Sequence, residues 1–139
     1  MTTKKPFSPS LFKENDTLAR EAGKRYWSKQ GYEVWDNPDR YGPDLIVNNE
    51  FFCETEIKRV WKSDTFPYKT LQLVGRKGKF LNLEIPCVFM VCNDSLTHAI
   101  IASEDDVKSS PLVEVPNRYV HKGEYFYQVP LSATKVVEI

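Results

Sequence analysis

A chain of 139 residues, 41% hydrophobic and 13% aromatic, can close one core without a disulfide or metal staple, and one domain is expected. Nineteen Lys and Arg balance nineteen Asp and Glu, which argues against a DNA-coating protein but leaves room for a locally basic groove. The polar opening "MTTKKPFSPS" lacks the apolar stretch of a signal peptide, and no run approaches the length of a membrane span. Cys53, Cys87 and Cys92 sit in apolar, strand-like contexts, so the expectation is a cytoplasmic protein with reduced core cysteines and no membrane partner.

Residues 1–10 read as a flexible tail and residues 11–139 as the single domain. Over residues 11–30, Leu18, Ala22 and Tyr26 recur at four-residue spacing and Gly31 stops the run, which predicts a helix. "YEVWD" alternates as a first strand, and "NPDRYGP" is a loop by its Pro, Gly and Asn content. Two strands are expected over 44–48 and 51–60, joined by a tight Asn-rich turn. "KSDTFPYKTLQLV" is a loop running into an extended segment, with a helix from Lys69 as the alternative, and "RKGKFLNLE" is a short basic helix or turn. "PCVFMVC" reads as a strand buried on both faces, "HAIIAS" as another strand, and "SEDDVKSS" as the start of a capped helix. The Lys-Gly pair and alternating aromatics near the C-terminus predict a closing hairpin or strap. The order is that of an α/β protein, a mixed sheet flanked by helices.

The stretch "GPDLIVNNEFFCETEIKRVW", residues 42–61, sets charged residues among apolar strand residues. Strand alternation projects Glu54, Glu56 and Lys58 from one side. Asp44 joins them only if the turn holds three residues, Asn48 to Glu50, so that Val47 pairs with Phe51 and Asp44 lies opposite Glu54. A two-residue turn would send Asp44 to the other face. Carboxylates this close repel unless a cation lies between them, and Mg²⁺ takes such oxygen ligands together with water and a substrate phosphate. A lysine one pleat on can reach a metal-bound water or the phosphate. Together these are the equipment for phosphodiester hydrolysis. The competing reading is a solvated strand face with ordinary surface pairs. A Cys or His metal centre is not expected, since no CxxC occurs and His98 and His121 lack ligand spacing.

Pro43-Asp44 followed by Glu56-Ile57-Lys58 resembles the PD-(D/E)XK nuclease superfamily, and the helix, strand hairpin and following block over about residues 14–103 resemble its αβββαβ, restriction-endonuclease-like core. In length and layout the chain is similar to small Holliday-junction-resolvase-like nucleases. The resemblance implies Asp44 and Glu56 as metal ligands, assisted by the Ile57 carbonyl, with Lys58 orienting or activating the attacking water. It implies Mg²⁺ as cofactor, with Mn²⁺ able to substitute, and DNA as substrate, including structure-specific cleavage. An acidic residue from the first helix often joins such a site; Glu21 is the match here, with a solvated helix glutamate as its alternative. Glu54 either belongs to the site or pairs with a nearby lysine. Arg76, Lys77 and Lys79 in "GRKGK" are candidate phosphate contacts or a solvated turn. Tyr41, Trp61 and Tyr68 either frame a groove or belong to the core. Cutting both strands of a duplex would call for a homodimer. The alternative function is a catalytically silent nuclease-fold module that binds nucleic acid or a protein partner.

Overall fold

Two consecutive asparagines set the geometry on which the site depends. Asn48 and Asn49 both take left-handed backbone angles, φ 58° and 56°, which Asn tolerates better than most side chains. The turn they make with Glu50 holds three residues and pairs Val47 with Phe51 and Leu45 with Cys53. This is the register that places Asp44 opposite Glu54.

The computed structural model describes residues 9–116 and 123–139. Helix α1 spans Pro9–Lys29, so the expected tail overlaps the helix at residues 9 and 10, and residues 1–8 lie outside the described residues. Strands β1 (Val34–Asp36), β2 (Leu45–Val47) and β3 (Phe51–Ile57) form an antiparallel meander. Strand β3 then pairs in parallel with β5 (Cys87–Cys92), which continues antiparallel through β6 (His98–Ala102) to β9 (Lys135–Glu138). The six-stranded mixed sheet has the order β1-β2-β3-β5-β6-β9.

Helix α1 covers one face of this sheet. Ala22, Tyr26 and Trp27 pack on Leu45, Val47, Cys53, Met90 and Cys92. Gly23 allows the close approach: a Cβ there would lie 2.9 Å from Leu45 Cδ1 and 3.0 Å from Thr55 Cγ2. A glycine in mid-helix costs roughly 0.5–1 kcal/mol, and contact between helix and sheet is what it gives in return.

The other face departs from the expectation of flanking helices. A second sheet of order β4-β8-β7 covers it, built from β4 (Thr70–Val74), β7 (Leu112–Val115) and β8 (Glu124–Pro130). Leu71 and Leu73 alternate inward on β4 and meet Val129, Phe89, Val91 and Ile100 in one apolar cluster. That alternation settles the segment after Lys69 as strand rather than helix. The crossover from β3 to β5 therefore runs through β4 and a six-residue 3-10 helix, Gly75–Phe80, where an αβββαβ core would have an α-helix.

The remaining expectations fall closer. Helix α2 (Glu104–Lys108) opens on a capping box, in which Ser103 Oγ accepts from Asp106 N and Asp106 Oδ2 accepts from Ser103 N. The C-terminal hairpin exists as β7 and β8, although the Lys-Gly turn falls partly outside the described residues. All three cysteines are buried and free. His98 opens β6, with Nδ1 3.4 Å from Asp64, and His121 lies outside the described residues. Among the described residues no helix is long and apolar enough to cross a membrane.

Candidate active site

Strand β2 stops at Leu45 while β3 runs on to Ile57, so β3 has a bare edge beyond Cys53. A bare edge leaves backbone donors that need partners. On β3 the N–H groups of Phe52 and Lys58 go to the β5 side, to Pro86 O and Cys92 O, so by alternation those of Thr55 and Ile57 face the open edge. Asp44 serves Thr55: its Oδ2 accepts from Thr55 N at 3.0 Å and from Thr55 Oγ1 at 2.8 Å. The Asp44 N–H in turn donates to Glu54 Oε1 at 3.2 Å. The carbonyl of Ile57 lies on this same edge.

Glu54, Glu56 and Lys58 share the β3 face turned toward the second sheet. They line, with Ile57, a cleft of about 670 Å³ whose far wall is Gln72, Val74, Arg76, Lys77 and Phe126. Phe52, the previous residue on that face, is buried in the apolar cluster, so the charged residues begin where the core ends.

Sequence reasoning named Lys77 as a candidate phosphate contact and missed where it goes. Its ammonium lies between the two glutamates, 3.2 Å from Glu54 Oε2 and 3.1 Å from Glu56 Oε1, with 14% of its side chain exposed. Lys58 Nζ lies 3.7 Å from the other oxygen of Glu56. The sequence grouped Arg76, Lys77 and Lys79 together, but a 3-10 helix has three residues per turn, so residues i and i+3 eclipse. Lys77 therefore shares its side with buried Phe80, and Arg76 shares the exposed side with Lys79. Arg76 pairs there with Glu124 at 3.2 Å, and Lys79 lies 5.1 Å from the Phe80 ring centroid.

The same ammonium leaves the two glutamates in different states. Burial pushes Glu54 up, Lys77 pulls it back and Asp44 adds to the rise, leaving it at about 7. Burial acts the same way on Glu56, but Lys77 and Lys58 together outweigh it and hold that carboxyl below its usual range. Lys77 is held above its ordinary value, since Glu56 and Glu54 more than offset its desolvation.

Glu21 is not part of this assembly. It pairs with Lys24 at 3.3 Å, and Lys24 also reaches Asp36 on β1 at 3.0 Å. Helix α1 contributes Asn15 and Asp16 to the cleft instead. Asp16 is raised by burial and by the charge of Asp44, against Arg20 and Lys77, and Arg20 contacts it at 2.9 Å. The signal was in the helix phase. At roughly 100° per residue, Asp16 lies about 60° from Ala19 on the sheet-facing stripe, whereas Glu21 lies about 200° away. Arg59 fixes this end of the helix, since its guanidinium donates to Asn15 Oδ1 and lies 3.0 Å from Asp94 Oδ1. Of the candidate groove aromatics, Trp61 is fully buried and belongs to the core, while Tyr41 and Tyr68 are exposed.

The resulting site can hold a cation against paired carboxylates and present ammonium groups beside it. Comparison with protein-family models, with curated proteins and with solved structures finds no match to this chain.

Proposed function

We propose that the protein is a Mg²⁺-dependent endonuclease of the PD-(D/E)XK type that hydrolyses DNA phosphodiester bonds. The observation that carries this reading is the cation held between carboxylates on β3: Lys77 Nζ lies within 3.2 Å of both Glu54 and Glu56. The donors are hard oxygens and are already arranged around positive charge, which suits Mg²⁺ or Mn²⁺. Glu56, Asp44 and the Ile57 carbonyl would hold the ion. When bound, it would polarise a phosphoryl oxygen and lower the pKa of an attacking water toward neutrality.

The chain's own groups do the rest. Asp44 lies opposite Glu54 with its Oδ2 bound to Thr55 and outside the cleft lining, so it would have to turn from Thr55 toward Glu56 to join the ion. Lys58, on the same face as Glu56, orients the attacking water or neutralises charge developing on the phosphate. Lys77 would have to swing away from Glu56 on its flexible four-carbon stem for that carboxylate to take up the ion. Arg76 and Lys79 on the rim hold backbone phosphates. A homodimer would supply the second site needed to cut both strands.

The test is incubation with plasmid and oligonucleotide DNA in Mg²⁺, in Mn²⁺ and in EDTA, with Glu56→Gln as control. Cleavage that needs the metal and is lost in the variant supports the reading. Equal cleavage by both proteins overturns it.

One observation favours a second reading. Lys58 and Lys77 already balance Glu54 and Glu56, so the cluster is neutralised without a metal. A catalytically silent module that binds nucleic acid or a protein partner through the same cleft would show no metal-dependent cleavage.

A further inference from the structure

The central cleft does not end at its own walls. It shares Lys79 and Phe80 with a second depression of about 360 Å³ that runs past Asn37 and Pro43 to Tyr41. On its other side it shares Lys58 and Gln72 with a third, of about 370 Å³, that reaches Val60, Phe66 and Tyr68. The three adjoin through these shared residues, with the carboxylates in the central one, and together are treated as one furrow. Each junction carries a lysine and each end a tyrosine.

Both tyrosines present ring surface to solvent, 73% of Tyr41 and 54% of Tyr68. Neither is loosely placed in chemical terms. The Arg40 guanidinium carbon lies 5.3 Å from the Tyr41 ring centroid, an arrangement in which cation and ring attract. Tyr68 stands edge-on to Phe66 at 5.6 Å, and Phe66 edge-on to buried Trp61 at 5.3 Å, so its ring is braced against the core. A single exposed aromatic needs no explanation. Two at opposite ends of one charged furrow, each beyond a lysine, match the parts list of a strand-tracking groove, in which cations follow the backbone and aromatic faces stack on bases.

We propose that the furrow binds single-stranded or locally unpaired nucleic acid, with Tyr41 and Tyr68 stacking bases on either side of the carboxylates. Bases in a duplex stack on one another and offer no free face to either tyrosine. Unpaired bases do, and the backbone between them would pass Lys79 and Lys58 on its way over Glu54 and Glu56. This inference rests on the nuclease reading only for the chemistry that the strand is delivered to.

The experiment measures binding apart from cleavage. A fluorescent oligonucleotide of roughly 12 nucleotides, within the usual site size of such grooves, is titrated with the full chain in EDTA, and its blunt duplex in parallel. The single strand is expected to bind at least about tenfold more tightly. Tyr41→Ala and Tyr68→Ala should each weaken it about 5- to 150-fold, the value of one stacked base, while Tyr41→Phe and Tyr68→Phe retain it. Circular dichroism establishes that these surface variants are folded. Equal or tighter duplex binding, or alanine variants that bind like the parent, overturns the proposal. Tyrosine-dependent single-strand binding without cleavage in Mg²⁺ keeps the furrow and removes the nuclease reading. Duplex cleavage indifferent to both tyrosines does the reverse.

Discussion

Replacing Lys77 by methionine tests whether its ammonium stands where a metal ion belongs. Methionine keeps an unbranched stem of similar reach and removes the charge. At an effective dielectric of about 20, an ammonium 3.1–3.2 Å from each of two carboxylate oxygens gains roughly 5 kcal/mol per contact. Most of this is returned by water when the ammonium swings out, so the net barrier to an incoming ion is smaller. Breaking a buried pair typically costs about 3–5 kcal/mol; with Glu56 still 26% exposed and Lys58 at 3.7 Å, we take about 1–3 kcal/mol. Metal-free Lys77→Met should therefore melt lower, by roughly 3–12 °C for a domain of this size. Its affinity for Mg²⁺ or Mn²⁺ should rise by about 5- to 150-fold, and saturating metal should recover most of the lost melting temperature. Isothermal titration calorimetry and melting curves with metal or EDTA read both effects without DNA. A variant that binds metal no more tightly than the parent would refute the argument, because Glu56 would then not be a metal ligand.

Four further outcomes follow from the geometry. Asp44→Ala should abolish Mg²⁺-dependent cleavage and also lower stability by about 1–3 kcal/mol, since buried Thr55 loses the acceptor of its N–H and hydroxyl; Asp44→Asn retains an acceptor and should lose the cleavage alone. Lys58→Ala should reduce single-turnover cleavage about 10²- to 10⁴-fold with little change in DNA affinity, measured by anisotropy in Ca²⁺. Neutralising Arg76 and Lys79 together should flatten the slope of log affinity against log salt by up to roughly 1.4–1.8 and leave saturating turnover nearly unchanged. The buried thiols should resist alkylation at pH 8 and react on unfolding. Burial raises Cys92 from 9.0 to about 12, so its contribution to stability is whole below pH 9 and is lost as pH climbs toward 12, which melting at alkaline pH would reveal.

The parts of the fold that could be read from sequence are those fixed by neighbours in the chain. Asn48 and Asn49 name their own left-handed turn, Ser103 and Asp106 their own cap, and the apolar run at Cys87–Cys92 its own burial. The second layer could not be read this way. Leu71 and Leu73 face inward only because β8, more than fifty residues further on, supplies Val129 and the rest of the sheet. A five-residue segment with no such partner could as easily begin a helix, so long-range pairing decided its conformation. The short strand β9 is similar: Val136 pairs with Ile100 at the sheet's outer edge, and four residues carry too little pattern to announce it.

The same division runs through the site. Glu54, Glu56 and Lys58 are legible because charge on an apolar strand demands a partner and period-two alternation gives the shared face, whereas the engagement of the Asp44 carboxylate by Thr55 is not. Glu21 lies off the small-residue stripe of Ala19, Ala22 and Gly23, which is the stripe that meets the sheet and carries Asp16 toward the cleft. Lys77 needed more than local pattern, because its side of the 3-10 helix is inward only once β4 has docked.

Its position also explains Glu54. An apolar side chain there would leave Lys77 with Glu56 alone and a contact with the Asp44 N–H unmade. Glu54 closes both, at the cost of a carboxyl raised to about 7 by burial and by Asp44. Glu54 and Lys77 thus form a matched pair, and the two should be altered together. If Glu54 serves mainly to hold Lys77, Glu54→Leu combined with Lys77→Met should be more stable than the sum of the two single changes by about 1–3 kcal/mol, since each single change leaves a charge without its partner. Strict additivity in melting curves would show instead that the two charges act independently.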